Sequence, residues 1–280
     1  MKTSPVFELE LPLDDNQTSG IVNWIIASDF HGNLEATKKF LEHIEAEFAS
    51  GRYHFDNTCM VLLGDYIDYG GNSAEVVKLL MQFCLCKVYF LYGNHEEIFR
   101  ELATIRQAGA DVFPKNFFRL SSTRGKNSAL LTYDQLDKPE NNQQFCWLMN
   151  LQSPAMCLKS QVGGLWFAHG NINDPIWGKL ENMNADLCLA DKTSIFFGGH
   201  THKPLLEQRG SIVLCNVGSI GQPRWGSKDG TFATLEIQPN NSKAIIKILK
   251  FEYDVNGAYN AIKAMNNQHP YYAERLLTGI

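Results

Sequence analysis

The feature that most constrains this chain is a set of five short polar motifs, each directly after an apolar run of strand length. Asp29-Phe30-His31-Gly32 follows residues 21–28, and Gly64-Asp65-Tyr66-Ile67-Asp68 follows 59–63. Gly93-Asn94-His95-Glu96 follows 87–92, His169-Gly170 follows 164–168, and Gly199-His200-Thr201-His202 follows 194–197. Apolar runs this short suit buried strands and are too brief for most helices. In open α/β sheets, ligands gather outside the carboxyl ends of the strands. Five loops far apart in sequence are therefore expected to converge on one edge.

The residue types say what would draw them together. Asp and His with one Asn form a mixed oxygen–nitrogen donor set suited to manganese, iron or zinc. In D-x-H and H-x-H, alternate side chains of an extended segment point the same way and can reach one ion. A carboxylate between two ions can bridge them, and neighbouring glycines let the backbone approach closely. Five of the 8 histidines lie in these motifs, and His43, His54 and His269 read as surface or structural residues.

Between the motifs, strand-like and helix-like periods alternate. Residues 33–49 place Leu34, Phe40, Leu41, Ile44 and Phe48 at helical spacing,. Residues 72–86 predict a second helix opened by the capping-box spacing Asn72-x-x-Glu75, and a third is expected from about Glu96. Such alternation implies a parallel sheet with right-handed crossovers. Residues 109–155 differ, with helical pieces near 128–137 and 142–150. They read either as a small helical cap over the site or as a surface insertion without substrate contact. Strands follow at 211–217, 231–237 and 244–252, then a helix near 256–265 and a polar tail. Helices with strands, then a run of strands, suggest two stacked sheets in one α/β domain spanning 1–280.

Composition narrows the functional class. A net charge of −5 over 280 residues provides no global positive field for nucleic acid,. The seven cysteines are odd in number and form no C-x-x-C pair, which argues against a disulfide framework and for a reducing cytosol,. They read mostly as small core residues. The first twenty residues carry Glu8, Glu10, Asp14 and Asp15 and no apolar run, unlike a secretory leader,. No stretch reaches the roughly 18 apolar residues of a membrane span. A soluble cytoplasmic protein is expected.

The ordered set D-x-H, G-D-x-x-D, G-N-H-E, H-G and G-H-T-H resembles the calcineurin-like metallophosphoesterase superfamily over about residues 22–220. The resemblance implies a four-layer αββα sandwich of two mixed sheets flanked by helices, with the small helical insertion described above. It implies two metal ions (Mn, Fe or Zn), one held by Asp29, His31, Asp65 and His202. Asp65 would bridge to a second, completed by Asn94, His169 and His200. His95 would act near the leaving group, oriented by Asp68. The implied reaction is in-line attack of a metal-bound hydroxide on a phosphate ester.

Within that superfamily, protein serine/threonine phosphatases carry an Arg where this chain has Tyr69. Asp68-Tyr69-Gly70, Asp174-Pro175-Ile176-Trp177 and the run from Asn216 to Arg224 instead resemble a bacterial phosphodiesterase-like branch. A phosphodiesterase acting on a small diester is therefore expected, with a protein phosphatase or a dinucleoside polyphosphate hydrolase as the alternative. Retention of every ligand and of His95 argues against a scaffold. Arg124, Lys126 and Arg224 are candidate phosphate contacts, though each reads first as a solvated surface charge, and Tyr66 and Tyr69 are candidate pocket walls or ordinary packing residues. The run after Asn216 either shapes a turn or supports the metal loops.

Overall fold

The computed structural model describes residues 3–13, 21–110, 112–120, 122–183, 193–265 and 270–280. Cys188, His269, Asp14 and Asp15 lie outside the described residues. The parallel strands are β2 (Asn23–Ala27), β3 (Thr58–Leu62) and β4 (Lys87–Phe90). Antiparallel to β2 runs β10 (Gly230–Gln238), then β11 (Lys243–Phe251) and β1 (Ser4–Pro12), giving the order β1-β11-β10-β2-β3-β4. A second mixed sheet contains β5 (Ala155–Ser160), β6 (Gly163–Ala168), β7 (Ser194–Gly198), β8 (Leu205–Arg209) and β9 (Ile212–Asn216), in the order β5-β6-β7-β9-β8.

Period-two alternation decides which face of each strand meets which layer. Trp24, Ile26, Cys59 and Val61 point towards the second sheet, where they pack with Leu165, Phe167, Ile195, Phe197 and Val213. Their neighbours Ile25, Ala27, Met60 and Leu62 point the opposite way, into a helical layer. That layer comprises α1 (Leu34–Ala49), α2 (Ser73–Gln82), α3 (Asn94–Gln107), α4 (Thr123–Leu136) and α5 (Asn142–Met149). Phe40, Val77, Leu102, Leu136 and Leu148 are their deepest contributions. The expected αββα arrangement of two mixed sheets with flanking helices is present. On the outer face of the five-stranded sheet, the described flank is a single helical turn, Leu180–Asn182, packed on Phe196 and Leu214. Among the described residues, no helix is long and apolar enough to cross a membrane.

Several local expectations are corrected. Asn72 stands at the N-cap of α2, but its side chain accepts no helix hydrogen bond, so the capping box does not form there. Its backbone N–H is committed instead to Gly32 O, 3.0 Å away in the first motif loop. The helix also stops at Gln82, where Phe83 turns extended. The supposed polar tail contains α7 (Tyr271–Thr278), which packs Tyr272, Ala273 and Leu276 on α6 (Val255–Ala264). Of the cysteines, Cys59, Cys86 and Cys215 are buried, whereas Cys84, Cys146 and Cys157 are exposed, and all six are free. Cys157 sits on the edge strand β5, whose outward positions meet solvent.

Residues 109–155 pack Tyr133, Leu136, Phe145 and Leu148 into the same apolar cluster as α1 and α2.

Phe167 joins the two sheets: its ring stacks on Phe197 at 5.2 Å and on Trp24 of the opposite sheet at 5.8 Å. Phe167→Ala is expected to lower unfolding free energy by about 3–5 kcal/mol in denaturant titration. Lys159→Ala, on the neighbouring edge strand, should stay within about 0.5 kcal/mol.

Candidate active site

All five motif loops leave the carboxyl ends of parallel strands, and backbone hydrogen bonds tie them to one another. Asp29 N–H donates to Gly64 O (3.0 Å), His31 N–H to Asp65 O (2.9 Å) and Gly199 N–H to His169 O (2.9 Å). The loop after β9 joins in: Gly221 N–H donates to Asp29 O at 2.9 Å, and Ser219 Oγ–H donates to the same oxygen at 2.8 Å. Asn216 Nδ2 donates to Gly199 O at 2.8 Å. The run after Asn216 therefore supports the motif loops directly.

Such close loop packing demands unusual backbone. Asp29, His31, Asp65, Asp68, Tyr69, His200 and His202 all have φ between 47° and 70°. Among the described residues the other non-glycine with positive φ is Ser242. A left-handed non-glycine residue costs about 1–3 kcal/mol and persists only when its surroundings over-determine it. At Gly93 the constraint is space: an added Cβ would overlap Asp65 Oδ1 and the His169 ring.

Glu96 is one organiser of this arrangement. It is fully buried, and its carboxylate accepts from Asp65 N–H (2.7 Å), Tyr66 N–H (2.7 Å) and Gly93 N–H (2.9 Å). Burial and the nearby Asp65 raise its pKa to about 7, against the pull of those three donors.

The seven residues read as metal ligands converge as two adjoining sets. In the first, His31 Nε2 lies 3.1 Å from His202 Nε2 and 3.6 Å from both Asp29 Oδ1 and Asp65 Oδ2. His202 Nε2 is 3.1 Å from Asp29 Oδ1. In the second, His169 Nε2 lies 3.2 Å from Asp65 Oδ2 and 3.1 Å from Asn94 Oδ1. His200 Nδ1 is 3.0 Å from Asn94 Oδ1 and 3.3 Å from His169 Nε2. Asp65 Oδ2 belongs to both.

Tautomers show what these atoms face. His31 Nδ1 is 3.0 Å from Ile67 O, and His202 Nδ1 is 2.6 Å from Gln222 O. A carbonyl can only accept, so each Nδ1 carries the proton and each neutral ring directs an Nε2 lone pair inward. Those lone pairs meet carboxylate oxygens, and Asp29 Oδ1 is buried without a hydrogen-bond donor. Acceptors facing acceptors repel unless a cation lies among them. Metal–ligand bonds of about 2.0–2.2 Å put neighbouring donors roughly 3 Å apart, as found here. The residues present fit a metal pair.

Burial penalises the charged form of Asp29, yet His202 and His169 hold its carboxyl well below the usual range. Asp65 is likewise lowered, because His169, His95 and His31 outweigh its burial. Burial also lowers His200, to about 4, with His169 adding to the effect.

His95 stands just outside both sets. Its Nδ1 donates to Asp68 Oδ2 at 2.5 Å, and its Nε2 is 3.9 Å from Asp65 Oδ2. Burial opposes the imidazolium, but Tyr69, Asp65 and Asp68 raise its pKa well above the ordinary histidine value. The adjoining pocket, about 230 Å³, is walled by Tyr69, Arg119, Leu120, Trp177 and Arg224. Arg124 and Lys126 lie over Tyr271 and Phe118 rather than in that wall. Tyr66 is buried, its hydroxyl donating to Leu91 O and Leu62 O, while Tyr69 lines the pocket.

Comparison with known proteins identifies the lineage. Residues 22–240 match the calcineurin-like phosphoesterase superfamily domain. The chain belongs to that superfamily. It is a metal-dependent hydrolase of a dinuclear family, with His and Asp clusters that could hold the ions. A bis(5'-nucleosyl)-tetraphosphatase, PrpE, from Oceanobacillus iheyensis is 36% identical over 180 residues, 63% of this chain and 64% of the relative. Phosphodiesterase YfcE from Escherichia coli is 25% identical over 203 residues, covering 72% and 82%. The solved metallophosphoesterase from Sphaerobacter thermophilus superposes with a TM-score of 0.63 at 21% identity, covering 92% of this chain and 100% of its own.

The structural role of Glu96 is not evident from its motif alone. The spacing Gly93-x-x-Glu96 was the available signal, since a carboxylate three residues into a helix can reach back to the N-cap. Arg119 carried none, because it lies in the insertion away from every motif. Glu96→Ala leaves three buried N–H groups unsatisfied and is expected to cost at least about 3 kcal/mol in denaturant titration. Glu96→Gln, which keeps one acceptor, should lose less.

Proposed function

We propose that this protein is a two-metal phosphodiesterase acting on a small phosphate diester. The observation that carries the reading is the His95–Asp68 pair beside the shared oxygen of Asp65. His95 is bonded to a carboxylate on one side and presents Nε2 towards the pocket on the other. An alkoxide leaves slowly unless it is protonated, and a histidine held in one tautomer by Asp68 can deliver that proton from Nε2. Asp29, His31, Asp65 and His202 would hold one ion, and Asp65, Asn94, His169 and His200 the other. When bound, such a pair of Mn, Fe or Zn ions supplies an acidified water and a clamp on phosphate oxygens.

Two observations favour a diester. Tyr69 replaces the arginine of protein phosphatases, and its ring stacks on Tyr272 at 4.4 Å, so that corner carries no guanidinium on the motif itself. The pocket is also small, and its walls include Leu120 and Trp177. Trp177 and the similarity to a tetraphosphatase favour one second reading, a dinucleoside polyphosphate hydrolase. We further propose that residues 109–155 belong to a single domain and form part of the wall of the site, a reading supported by Arg119, Leu120 and Ser122 in the pocket lining. The free cysteines support a cytoplasmic location,.

Metal-loaded protein should turn over an aryl diester faster than the matching monoester, a dinucleoside tetraphosphate or a phosphopeptide. A preference for the tetraphosphate would install the second reading, and no turnover of any would end both. His95→Ala should keep its metal content and lose about 10²–10⁴-fold in turnover of alkyl esters. Unchanged turnover would remove His95 from the reaction. Asp65→Asn should weaken both ions in metal titration, whereas loss of one alone would place the bridge elsewhere.

A further inference from the structure

We propose that Arg224 grips a non-bridging phosphate oxygen of the substrate at the end of the pocket beside the first donor set. This rests on the phosphoesterase reading above and adds the charged, forked contact that Tyr69 lacks. Position comes first. Arg224 lines the pocket with Tyr69, His95, His200 and His202. Its backbone N–H donates to His202 O at 3.2 Å, which anchors it one hydrogen bond from the G-H-T-H motif. Its guanidinium carbon lies 5.9 Å from the centre of the Tyr69 ring. A guanidinium on this loop therefore stands over the very side chain that occupies the phosphatase arginine's place.

Charge comes second. Among the described residues, no carboxylate lies within ion-pair distance of Arg224, and its Nε is buried without an acceptor. A buried guanidinium N–H is costly to leave unmade, and a site that receives an anion explains why it is kept so. A second guanidinium over the same ring makes the deficit larger. Arg275 is buried, and both its Nε (2.9 Å) and Nη2 (2.6 Å) donate to the neutral Gln222 Oε1. Its guanidinium carbon is 5.4 Å from the Tyr69 ring centre. Burial and the charge of Arg224 lower its pKa to about 10. Two guanidinium groups thus lie over one aromatic ring, and the acceptor found for Arg275 is a neutral amide oxygen.

The other arginine described in the pocket wall is already engaged. Arg119 lies 4.2 Å over the Trp177 ring and 3.8 Å from Asp174 Oδ2. Arg124 stacks 4.3 Å from Tyr271, outside the pocket wall. Among the described arginines, Arg224 combines a place in the pocket wall with a buried donor that lacks an acceptor, and its planar fork matches a pair of phosphate oxygens,.

The test measures inorganic phosphate binding to the manganese-loaded full chain by calorimetry, so it does not need turnover. Arg224→Ala should weaken phosphate binding by about 10- to 100-fold with metal content and thermal midpoint unchanged. Arg224→Lys, which keeps a charge without the fork, should recover part of the loss and provides a folded variant should alanine unsettle the loop. Arg124→Ala should bind phosphate as wild type does. Equal phosphate affinity in wild type and Arg224→Ala, or a loss confined to Arg124→Ala, overturns the proposal. Absence of phosphate binding by the wild-type protein overturns it too. If phosphate binds through Arg224 while no ester is hydrolysed, the phosphodiesterase reading fails and the anion site stands.

Discussion

The structure depends on holding like against like. Carboxylate oxygens and the imidazole lone pairs of His31 and His202 face one another at 3.1–3.6 Å in a buried site, an arrangement that opposes folding in the absence of a cation. Hydrogen bonds on the far side of these two rings make it unavoidable. Because Ile67 O and Gln222 O each take the Nδ1 proton, His31 and His202 cannot turn a donor inward to relieve the repulsion. The scaffold thus stores an unfavourable electrostatic contact that metal binding would discharge, and metal affinity is gained at the expense of stability without metal.

What resists that repulsion is the framework behind it. Seven left-handed residues in the motif loops would relax if the loops were independent,. They are not independent, since strand ends from both sheets are stitched by backbone bonds and by Glu96, Ser219 and Asn216. The rings of Trp24, Phe167 and Phe197 hold the sheets themselves together just beneath. Packing of the core and precision of the site are therefore one property, and the same strand carries both. On β2, Trp24 and Ile26 face the other sheet while the chain beyond Ala27 delivers Asp29.

Much of this was legible beforehand. The strands β2, β3, β7, β9 and β10 announced themselves as apolar runs because they are largely buried on both faces, and β4, β6 and β11 were legible as apolar runs too. The edge strands β1, β5 and β8 were not, as much of each meets solvent and its residues are mixed. Helix α7 was hidden for another reason: its buried face is built largely of Tyr272, Ala273 and Arg275, which are not plainly apolar, and it is shared between α6 and Tyr69, two hundred residues away. The seven metal-ligand candidates were readable because Asp, Asn and His beside glycine after a strand is a compact local signal. Arg119 and Glu96 were harder, since one sits in an unpatterned insertion and the other works through backbone groups that sequence does not distinguish.

By itself the sequence determined the donor chemistry, the strand ends that present it and the lineage that the comparisons identified. These are local properties, set by residue type and by a spacing of a few residues. The shared place of Asp65 and the pairing of His95 with Asp68 were implied by the resemblance and acquire their distances in the tertiary structure, and only the tertiary structure decided that Arg224 rather than Arg124 or Lys126 reaches the pocket. Each of those is a distance between loops separated by tens to hundreds of residues. Such distances follow from the way two twisted sheets pack, and no stretch of chain contains that information on its own.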